Sequence, residues 1–419
     1  SYQLIHLTLV SSIGRTIDIS GIWKEIAIYE DIFSNTLSGS IVINDSRNLI
    51  NELPILGSEF LLIAFEKPTQ DIRFEKTFRV YKLSDRTMET GTNETYILHF
   101  VSEEMLLNEQ LLISKAYQSV TVSDMVSDIC RNTLKIATEK LPEGAIEATD
   151  FPTSLIIPNW SPLYALNWLS TIALSGDALG AAYVFYENRT GYHFQSIESM
   201  FRGTPVMTIH VAPRNLGDTR SPDAPTKQLE GVLQWEMPHG WDELQAISLG
   251  AYASSLTIVD LNSQSQRTMN LSADEQFLST YHGNAFIPLQ AMPNRFNQTP
   301  QSMTQSLYRV MPQSSEVHRW MLQRNMYMAN LHGHRIKVGL PGNLSLTAGV
   351  LVECNLPAAT NHRDAEKSLD KTYSGKYLVT SIQHKIDRQK YVCSCELMKD
   401  SRSTILTTAD PQLMTLGAK

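Results

Sequence analysis

The chain has 419 residues, of which 42% are hydrophobic and 19% are charged, and its formal net charge at pH 7 is -8. This length allows two to four domains of about 100–200 residues each. The composition is typical of a folded globular protein and excludes a disordered or fibrous chain. The negative charge argues against tight nucleic-acid binding, because affinity for phosphates depends on concentrated Lys and Arg. If this protein meets DNA, we expect the DNA to slide past it.

The sequence predicts a soluble protein without membrane insertion. No window holds the roughly 20 apolar residues that a membrane helix requires, and the N-terminal stretch has a strand-like pattern without the basic start of an export signal. The four cysteines are too few and too scattered for a disulfide framework, so we expect reduced thiols in a cytoplasm. They are Cys130, Cys354, Cys393 and Cys395.

Short strand-like segments fill the first hundred residues. They are rich in Ile, Val, Tyr and Phe and are separated by Gly, Ser, Asn, Asp or Pro. The segments are 2–10, 15–19, 25–31, 37–45, 59–66, 78–83 and 94–102. Seven strands at this spacing predict a small β-barrel or sandwich, which we place over residues 1–112.

The C-terminal part repeats the last portion of this pattern. Gly57 in PILGSEFLLIAFEKP corresponds to Gly349 in LTAGVLVECNLPA, and Phe78 corresponds to Tyr377. Alternate residues of a strand share one face, and the next strand keeps an apolar face in both copies. In this alignment Tyr96, Leu98 and Phe100 lie over Tyr391, Cys393 and Cys395.

The repeat predicts a mainly β fold class with an α+β insertion: two similar small β-barrels of the tube type plus an inserted α+β domain. The second barrel would be built from residues 229–272 and 334–400, with the strand-like stretch 255–272 supplying part of its wall. A barrel accepts insertions in its loops rather than through its paired strands.

Helical patterns mark the two insertions. The α+β domain, 113–228, contains predicted helices at 119–135, capped by Ser123, and at 161–176, capped by Ser161 with Pro162 at the first helical position, followed by a hairpin over 181–197. The second insertion, 273–333, contains a loop-rich stretch, 285–301, and a helix over 315–332 capped by Ser315 and stopped at Gly333. Residues 401–419 form a tail.

Several residue patterns invite a chemical interpretation. Cys393 and Cys395 point to the same side of a strand and complete an apolar face, so core packing is favoured over zinc binding, which needs two ligand pairs at recognisable spacing. His332 and His334 flank a predicted helix end. The aromatic residues of the α+β domain fit its core better than a sugar or base platform. They are Trp160, Tyr164, Trp168, Tyr183, Phe185, Tyr186, Tyr192 and Phe194.

Carboxylates are numerous, and we interpret them as solvated charge. They include Glu25, Glu30, Asp31, Glu103, Glu104, Asp242 and Glu243. A glycosidase would need two carboxylates at one cleft with separated pKa values. The sequence contains no nucleophile elbow, phosphate-binding loop or zinc-protease motif. We therefore assign no catalytic, cofactor-binding or metal residue and expect no enzyme and no cofactor.

Three stretches carry a resemblance to a known family. They are EIAIYEDIFSNTLSGSIVINDSRNLINELPILGSEFLLI, then IPNWSPLYALNWLSTIA with YVFYENRTGYHFQSI, and GHRIKVGLPGNLSLTAGVLVECNLP. Together, and in this order along nearly the whole chain, they resemble the baseplate central hub proteins of contractile-tailed bacteriophages. That fold is shared with the base of type VI secretion spike proteins.

The resemblance implies a structural role in a virion tail baseplate that is assembled in the host cytoplasm. Such hubs look like trimers in which two similar barrels per subunit close a pseudo-six-fold ring. The implied partners are a trimeric spike protein, hexameric tail tube or tube-initiator proteins and a tape-measure protein, with DNA passing through the channel without specific binding. The family has no catalytic signature, so no active-site residues carry over.

Two alternatives stay open at this point. A β-rich hydrolase of cell-wall polysaccharide has in its favour only the number of carboxylates. The base of a type VI secretion spike has the same fold, but that family usually continues into a long β-helical needle. The chain here stops at LTTADPQLMTLGAK, so a separate spike polypeptide is expected.

Overall fold

The fold is known from a computed structural model, which describes residues 2–403 apart from 12–13, 53–54, 56, 92, 177–179, 212–231, 240–241, 287–303, 311–316, 357–368 and 371. Strands dominate, and helices are concentrated in two insertions. The predicted fold class, mainly β with an α+β insertion, is confirmed. Among the described helices, none combines the length and the apolar character needed to cross a membrane.

Twenty strands are described in chain order. They are β1 (Gln3–Val10), β2 (Thr16–Asp18), β3 (Trp23–Asp31), β4 (Ser38–Asp45), β5 (Phe60–Glu66), β6 (Arg73–Thr90), β7 (Asn93–Val101), β8 (Ile113–Val120), β9 (Thr153–Trp160), β10 (Tyr183–Asn188), β11 (Gly191–Ser196), β12 (Thr208–His210), β13 (Gln234–His239), β14 (Ala253–Asp260), β15 (Ser265–Ser272), β16 (Thr304–Val310), β17 (Arg335–Pro341), β18 (Leu351–Asn355), β19 (Gly375–Asp387) and β20 (Tyr391–Met398).

The described α-helices are mostly short. They are α1 (Leu49–Glu52), α2 (Glu103–Gln110), α3 (Val122–Asp128), α4 (Pro162–Ile172), α5 (Ile197–Met200), α6 (Glu243–Leu249), α7 (Ala273–Ser279) and α8 (Val317–His332). A π-helical turn, Ile129–Thr133, continues α3, and a 3-10 turn covers Thr138–Lys140.

One large sheet organises the chain. Its 13 strands run in the order β13-β17-β20-β19-β3-β4-β7-β6-β5-β1-β2, with β18 paired to β19 and β12 to β18. The order contains the same arrangement twice. The first unit, β3-β4-β7-β6-β5-β1, is matched strand for strand by the second unit, β13-β17-β20-β19-β18-β12. The outermost strands differ in direction, because β1 pairs antiparallel with β5 whereas β12 pairs parallel with β18.

A β-bulge at the same place in each unit supports the duplication. In the first unit Val80 pairs with Phe100 and Lys82 with His99, so that Tyr81 is skipped in the ladder. A bulge bends the strand and re-aims its side chains.

The second unit has the same irregularity. Val379 pairs with Leu397 and Ser381 with Glu396, so that Thr380 is skipped. Val80 is therefore equivalent to Val379. Since Phe78 and Tyr377 each lie two residues earlier, the predicted match of these two residues is confirmed.

The predicted alignment of the last strand is wrong by two residues. Counting on from the bulges, Leu98 is equivalent to Cys395 rather than to Cys393. Because Ile41 pairs with Leu98 and Val338 pairs with Cys395, Ile41 is in turn equivalent to Val338. Strand β6 is longer than its counterpart, which moves the turn. An even shift keeps the same side chains on the core face, so the predicted burial is unaffected.

The prediction that 255–272 contributes to the second barrel is also wrong. Strands β14 and β15, which cover this stretch, pair with each other and with β16 in a separate three-stranded sheet. This sheet packs on α8 through Leu256, Ile258, Val317 and Leu322. The alternation of apolar and polar residues indicates a strand but does not identify its partner. One insertion, between β13 and β17, therefore replaces the short connection that joins β3 to β4.

The α+β insertion follows the first unit. Its core joins β8–β11, α3 and α4 and includes six of the eight aromatic residues assigned to it. The assignment is wrong for Tyr164, which is exposed, and for Tyr186, which packs in a separate cluster with residues of α5 and α8. Helix α4 begins at Pro162 after Ser161 as predicted but ends at Ile172 instead of Gly176. Helix α3 is capped by Thr121, whose hydroxyl accepts the Asp124 N–H, rather than by Ser123. Strand β12 lies inside the range assigned to this domain but pairs with the second unit.

Some predictions fall outside the described residues. These are most of the loop-rich stretch 285–301, the cap at Ser315 and the tail from residue 404 onward. The helix that follows Ser315 in sequence is α8, and it ends at His332, immediately before the predicted stop at Gly333.

Two glycines that precede corresponding strands, β5 and β18, share a left-handed backbone but differ in their surroundings. Gly57 and Gly349 have φ angles of +88° and +92°. Alanine at Gly57 meets only ordinary contacts and should cost about 1–2 kcal/mol of stability from backbone strain. Gly349→Ala should cost more, because its methyl group would collide with the Tyr186 hydroxyl. Thermal unfolding of both variants checks this, and equal losses would contradict it.

Candidate assembly interface

The two units are joined edge to edge by strands β3 and β19. We call this ladder the internal junction. It is antiparallel and runs from Glu25 opposite Asp387 to Asp31 opposite Ser381. Its apolar face contributes to the main core: Ile26 lies opposite Ile386, and both side chains are fully buried.

A buried ion pair crosses the internal junction. Glu30 Oε1 of β3 lies 3.5 Å from His384 Nε2 of β19, and neither side chain reaches solvent. The other carboxylate oxygen of Glu30 accepts hydrogen bonds from the Thr347 hydroxyl and, at 2.9 Å, from the Ala348 N–H. Charges buried in this way require both a partner and further hydrogen bonds. Glu30 therefore links the first unit to the turn before β18 as well as to β19.

The second nitrogen of His384 faces two residues of β20. The Tyr391 hydroxyl lies 2.7 Å and the Cys393 sulfur 3.4 Å from His384 Nδ1. Burial disfavours the imidazolium, but Cys393 and Glu30 outweigh burial and raise the pKa of His384 to about 10. Burial likewise opposes ionisation of Glu30, whose pKa is nevertheless lowered by His384 and Thr347. The geometry therefore favours a charged pair at neutral pH.

A second ion pair lies at the exposed rim of the internal junction. Lys385 Nζ is 3.0 Å from Glu25 Oε1, and both side chains are more than a third exposed. Such pairs contribute only about 0–1 kcal/mol. The internal junction therefore depends on its ladder and buried groups.

Two strand edges equivalent to the internal junction have no partner among the described residues. Strand β13 pairs only with β17, and the part of β6 beyond the bulge pairs only with β7. Exposed apolar residues lie on both: Tyr81 and Met88 on β6, and Trp235 on β13, are 53%, 72% and 43% exposed. Unpaired edges of this kind favour association with another strand.

The sulfur and histidine candidates occupy structural positions. Cys393 and Cys395 are buried in the main core, which confirms their predicted packing. The contact of Cys393 with His384 was not foreseen, since the two residues meet only through strand pairing. His334 is also buried, and burial lowers its pKa to about 3. Within the described ranges, no group of three His, Cys, Asp or Glu is placed to hold a metal.

The interpretation of the carboxylates as solvated is wrong for two of them, Glu30 and Glu104. Glu30 is buried in the internal junction. Glu104 is buried and accepts hydrogen bonds from Lys140 at 2.6 Å and Tyr192 at 3.0 Å. Asp242 is exposed, as predicted, and also caps α6 by accepting N–H groups of the first turn. Burial of a charge depends on partners distant in sequence, which the sequence pattern does not show.

Comparison with known proteins identifies a relative of this chain and solved structures with a similar fold. No protein-family model matches the chain. A probable baseplate hub protein, gp334, of Vibrio phage KVP40 is 21% identical over 395 residues, 90% of each chain. The resemblance to phage baseplate hub proteins is confirmed.

Two solved tail proteins share the hub-like fold. The 43 kDa tail protein of prophage MuSo2 from Shewanella oneidensis has a TM-score of 0.56 at 12% identity, with 96% of this chain and 100% of that chain covered. The tail protein from Neisseria meningitidis MC58 has a TM-score of 0.54 at 12% identity, with 96% and 97% covered. At such identities the likeness concerns the fold alone, and it extends over both units and both insertions.

Removing the buried carboxylate should weaken the internal junction strongly. Glu30→Ala leaves His384 buried without its charge partner, and we expect a loss of about 3–5 kcal/mol. Glu25→Ala on the same strand removes an exposed charge and should cost about 0–1 kcal/mol. Denaturant unfolding of the two variants measures both values. Similar losses would show that the buried pair contributes no more than the rim pair.

The native thiols should be inert. All four cysteines are free and buried. Burial raises the pKa of the Cys130 thiol to about 12, whereas at Cys393 burial is outweighed by His384, which lowers the pKa of that thiol. Since a disulfide reagent must reach the sulfur atom, it should modify none of the four in the folded protein and all four after denaturation. Rapid labelling of one thiol under native conditions would contradict the described packing.

Proposed function

We propose that this protein is a structural hub of a phage tail baseplate, in which three copies form a pseudo-six-fold ring. The ring joins a hexameric tail tube to a trimeric spike and leaves a channel for DNA. The observation that carries the proposal is the duplicated strand unit, because three chains with two units each supply six similar wall segments to a six-fold neighbour.

The other partners follow from the same arrangement. One face of the ring contacts tail tube or tube-initiator proteins, the opposite face binds a separate spike protein, and a tape-measure protein is a further partner on the tube side. DNA passes without specific binding, in keeping with the net charge of -8. The assembled location is the virion tail baseplate, after assembly in the host cytoplasm.

The domain division supports this function. Residues 1–112 form the first wall segment, and β12, β13 and residues 334–400 form the second. The α+β domain that begins near residue 113 and the insertion between β13 and β17 lie outside the wall. Both insertions leave the ladder of the large sheet uninterrupted, as insertions in surface connections do.

A structural role rather than catalysis fits the relatives, which are named as hub and tail proteins. The carboxylates that suggested a hydrolase support this choice, because Glu30, Glu104 and Asp242 stabilise the fold.

The oligomeric state tests the proposal. Light scattering of the purified chain should give the mass of three 47.1 kDa subunits, and electron microscopy down the symmetry axis should show six similar densities around a channel. A stable dimer or tetramer would contradict the ring, as would three-fold density without six similar segments.

A further inference from the structure

The internal junction provides a template for the contact between neighbouring copies. Resting on the trimeric ring proposed above, we propose that the part of β6 beyond the bulge pairs with β13 of a second copy, in the register that β19 and β3 adopt within one chain. The free edge of β6 is thus covered by β13 of a second copy, and the free edge of β13 is covered by β6 of another copy of this chain.

Strand β6 is the counterpart of β19 at this contact. Ser84 pairs with Ile97, and the equivalent Gln383 pairs with Ser394. The residues three positions before Ile97 and Ser394 are Glu94 and Tyr391. Glu94 pairs with Met88, and Tyr391 pairs with Ile386. Met88 is therefore equivalent to Ile386. A second bulge after Ser84 explains why the two strands differ by one residue in between.

Strand β13 is the counterpart of β3. Ile26 pairs with Ile41, and Trp235 pairs with Val338. Because Ile41 and Val338 are equivalent, Trp235 occupies the position of Ile26. At the internal junction Ile26 and Ile386 face each other in the core.

The equivalent pair at the second junction is therefore Met88 of one copy opposite Trp235 of the next. Both are large apolar side chains, and they are 72% and 43% exposed in the single chain. They lie on units at opposite ends of the strand order, beyond the reach of the ladder within one molecule. Met88 and Trp235 are thus apolar like their equivalents Ile386 and Ile26, but a second copy is needed to bury them.

An apolar groove lies beside the free edge of β6. It is lined by Tyr81 at the bulge, Val101 of β7 and Met105 and Leu106 of α2. At the internal junction the equivalent bulge residue, Thr380, accepts a 2.9 Å hydrogen bond at its carbonyl oxygen from the N–H of Ile32, which follows β3 and is fully buried. The groove beside Tyr81 thus lies at the position that Ile32 fills at the internal junction.

A contact between two different edges is heterologous, and repetition of such a contact gives either a ring or an open filament. The internal junction already relates the two units of one chain in this way. A second junction of the same geometry between chains would alternate with it around the ring, so that three internal and three intermolecular junctions close six units.

A disulfide between the paired positions tests the register. In the Met88→Cys/Trp235→Cys variant, mild oxidation should convert the chain into dimers and then trimers on a non-reducing denaturing gel. The four native cysteines are buried. The matched control is Met88→Cys/Glu236→Cys. Glu236 is an exposed neighbour on the same strand, and its side chain points to the opposite face. The control should cross-link at least 10-fold less.

Light scattering of the reduced variants separates this inference from the proposed function. A trimer that cross-links through Met88 and Trp235 supports both. A trimer in which neither pair cross-links, or in which the control pair cross-links equally, overturns the register and leaves the ring standing. A wild-type chain that stays monomeric across the concentrations used for assembly overturns both the ring and the register.

Discussion

The ladder between β3 and β19 is the constraint on which the rest of the architecture depends. It satisfies the backbone donors and acceptors of two strands that would otherwise be open edges, and it places Ile26 against Ile386 in one continuous core. Because the two units are copies, the same ladder also fixes where the remaining open edges lie. The internal junction and the free edges are thus two consequences of one duplication.

The buried Glu30–His384 pair makes the stability of this ladder depend on pH. The pKa of Glu30 is lowered in the folded protein, so its contribution to folding stability is complete above the ordinary carboxyl range. That contribution is lost as pH falls through the lowered value. The pKa of His384 is raised to about 10, so its contribution is complete below the ordinary imidazole pKa and is lost as pH rises toward 10. A buried pair adds little net stability over apolar residues of the same shape, but separating its members is costly. It therefore acts mainly to fix how β19 lies on β3.

The sequence predicted what depends on local pattern and missed what depends on pairing. Period-two apolar segments gave nearly every strand of the first unit, and the Phe78–Tyr377 match held. The two-residue error at Tyr391 arose because an even shift preserves the apolar face, so the pattern could not detect it. The stretch 255–272 was assigned to the wrong sheet for a related reason, since its alternation is the same whichever sheet it joins. The burial of Glu30 beside His384 needed contacts between residues more than 350 positions apart.

In the proposed ring, the internal junction and the junction between copies face different physical demands, and their residues differ accordingly. The internal junction forms once, during folding, and its core face is closed to water, so that face can hold a charged pair whose desolvation is offset by fixed hydrogen bonds. An edge that joins another copy must remain soluble until the partner arrives and must then release water at low cost. Met88, a flexible side chain that adapts to irregular surfaces, and Trp235, an aromatic ring of the kind enriched at the centres of interfaces, meet that demand without a buried charge. In the proposed ring, the divergence of the two units at these equivalent positions therefore follows from whether each edge pairs within the chain or with another copy.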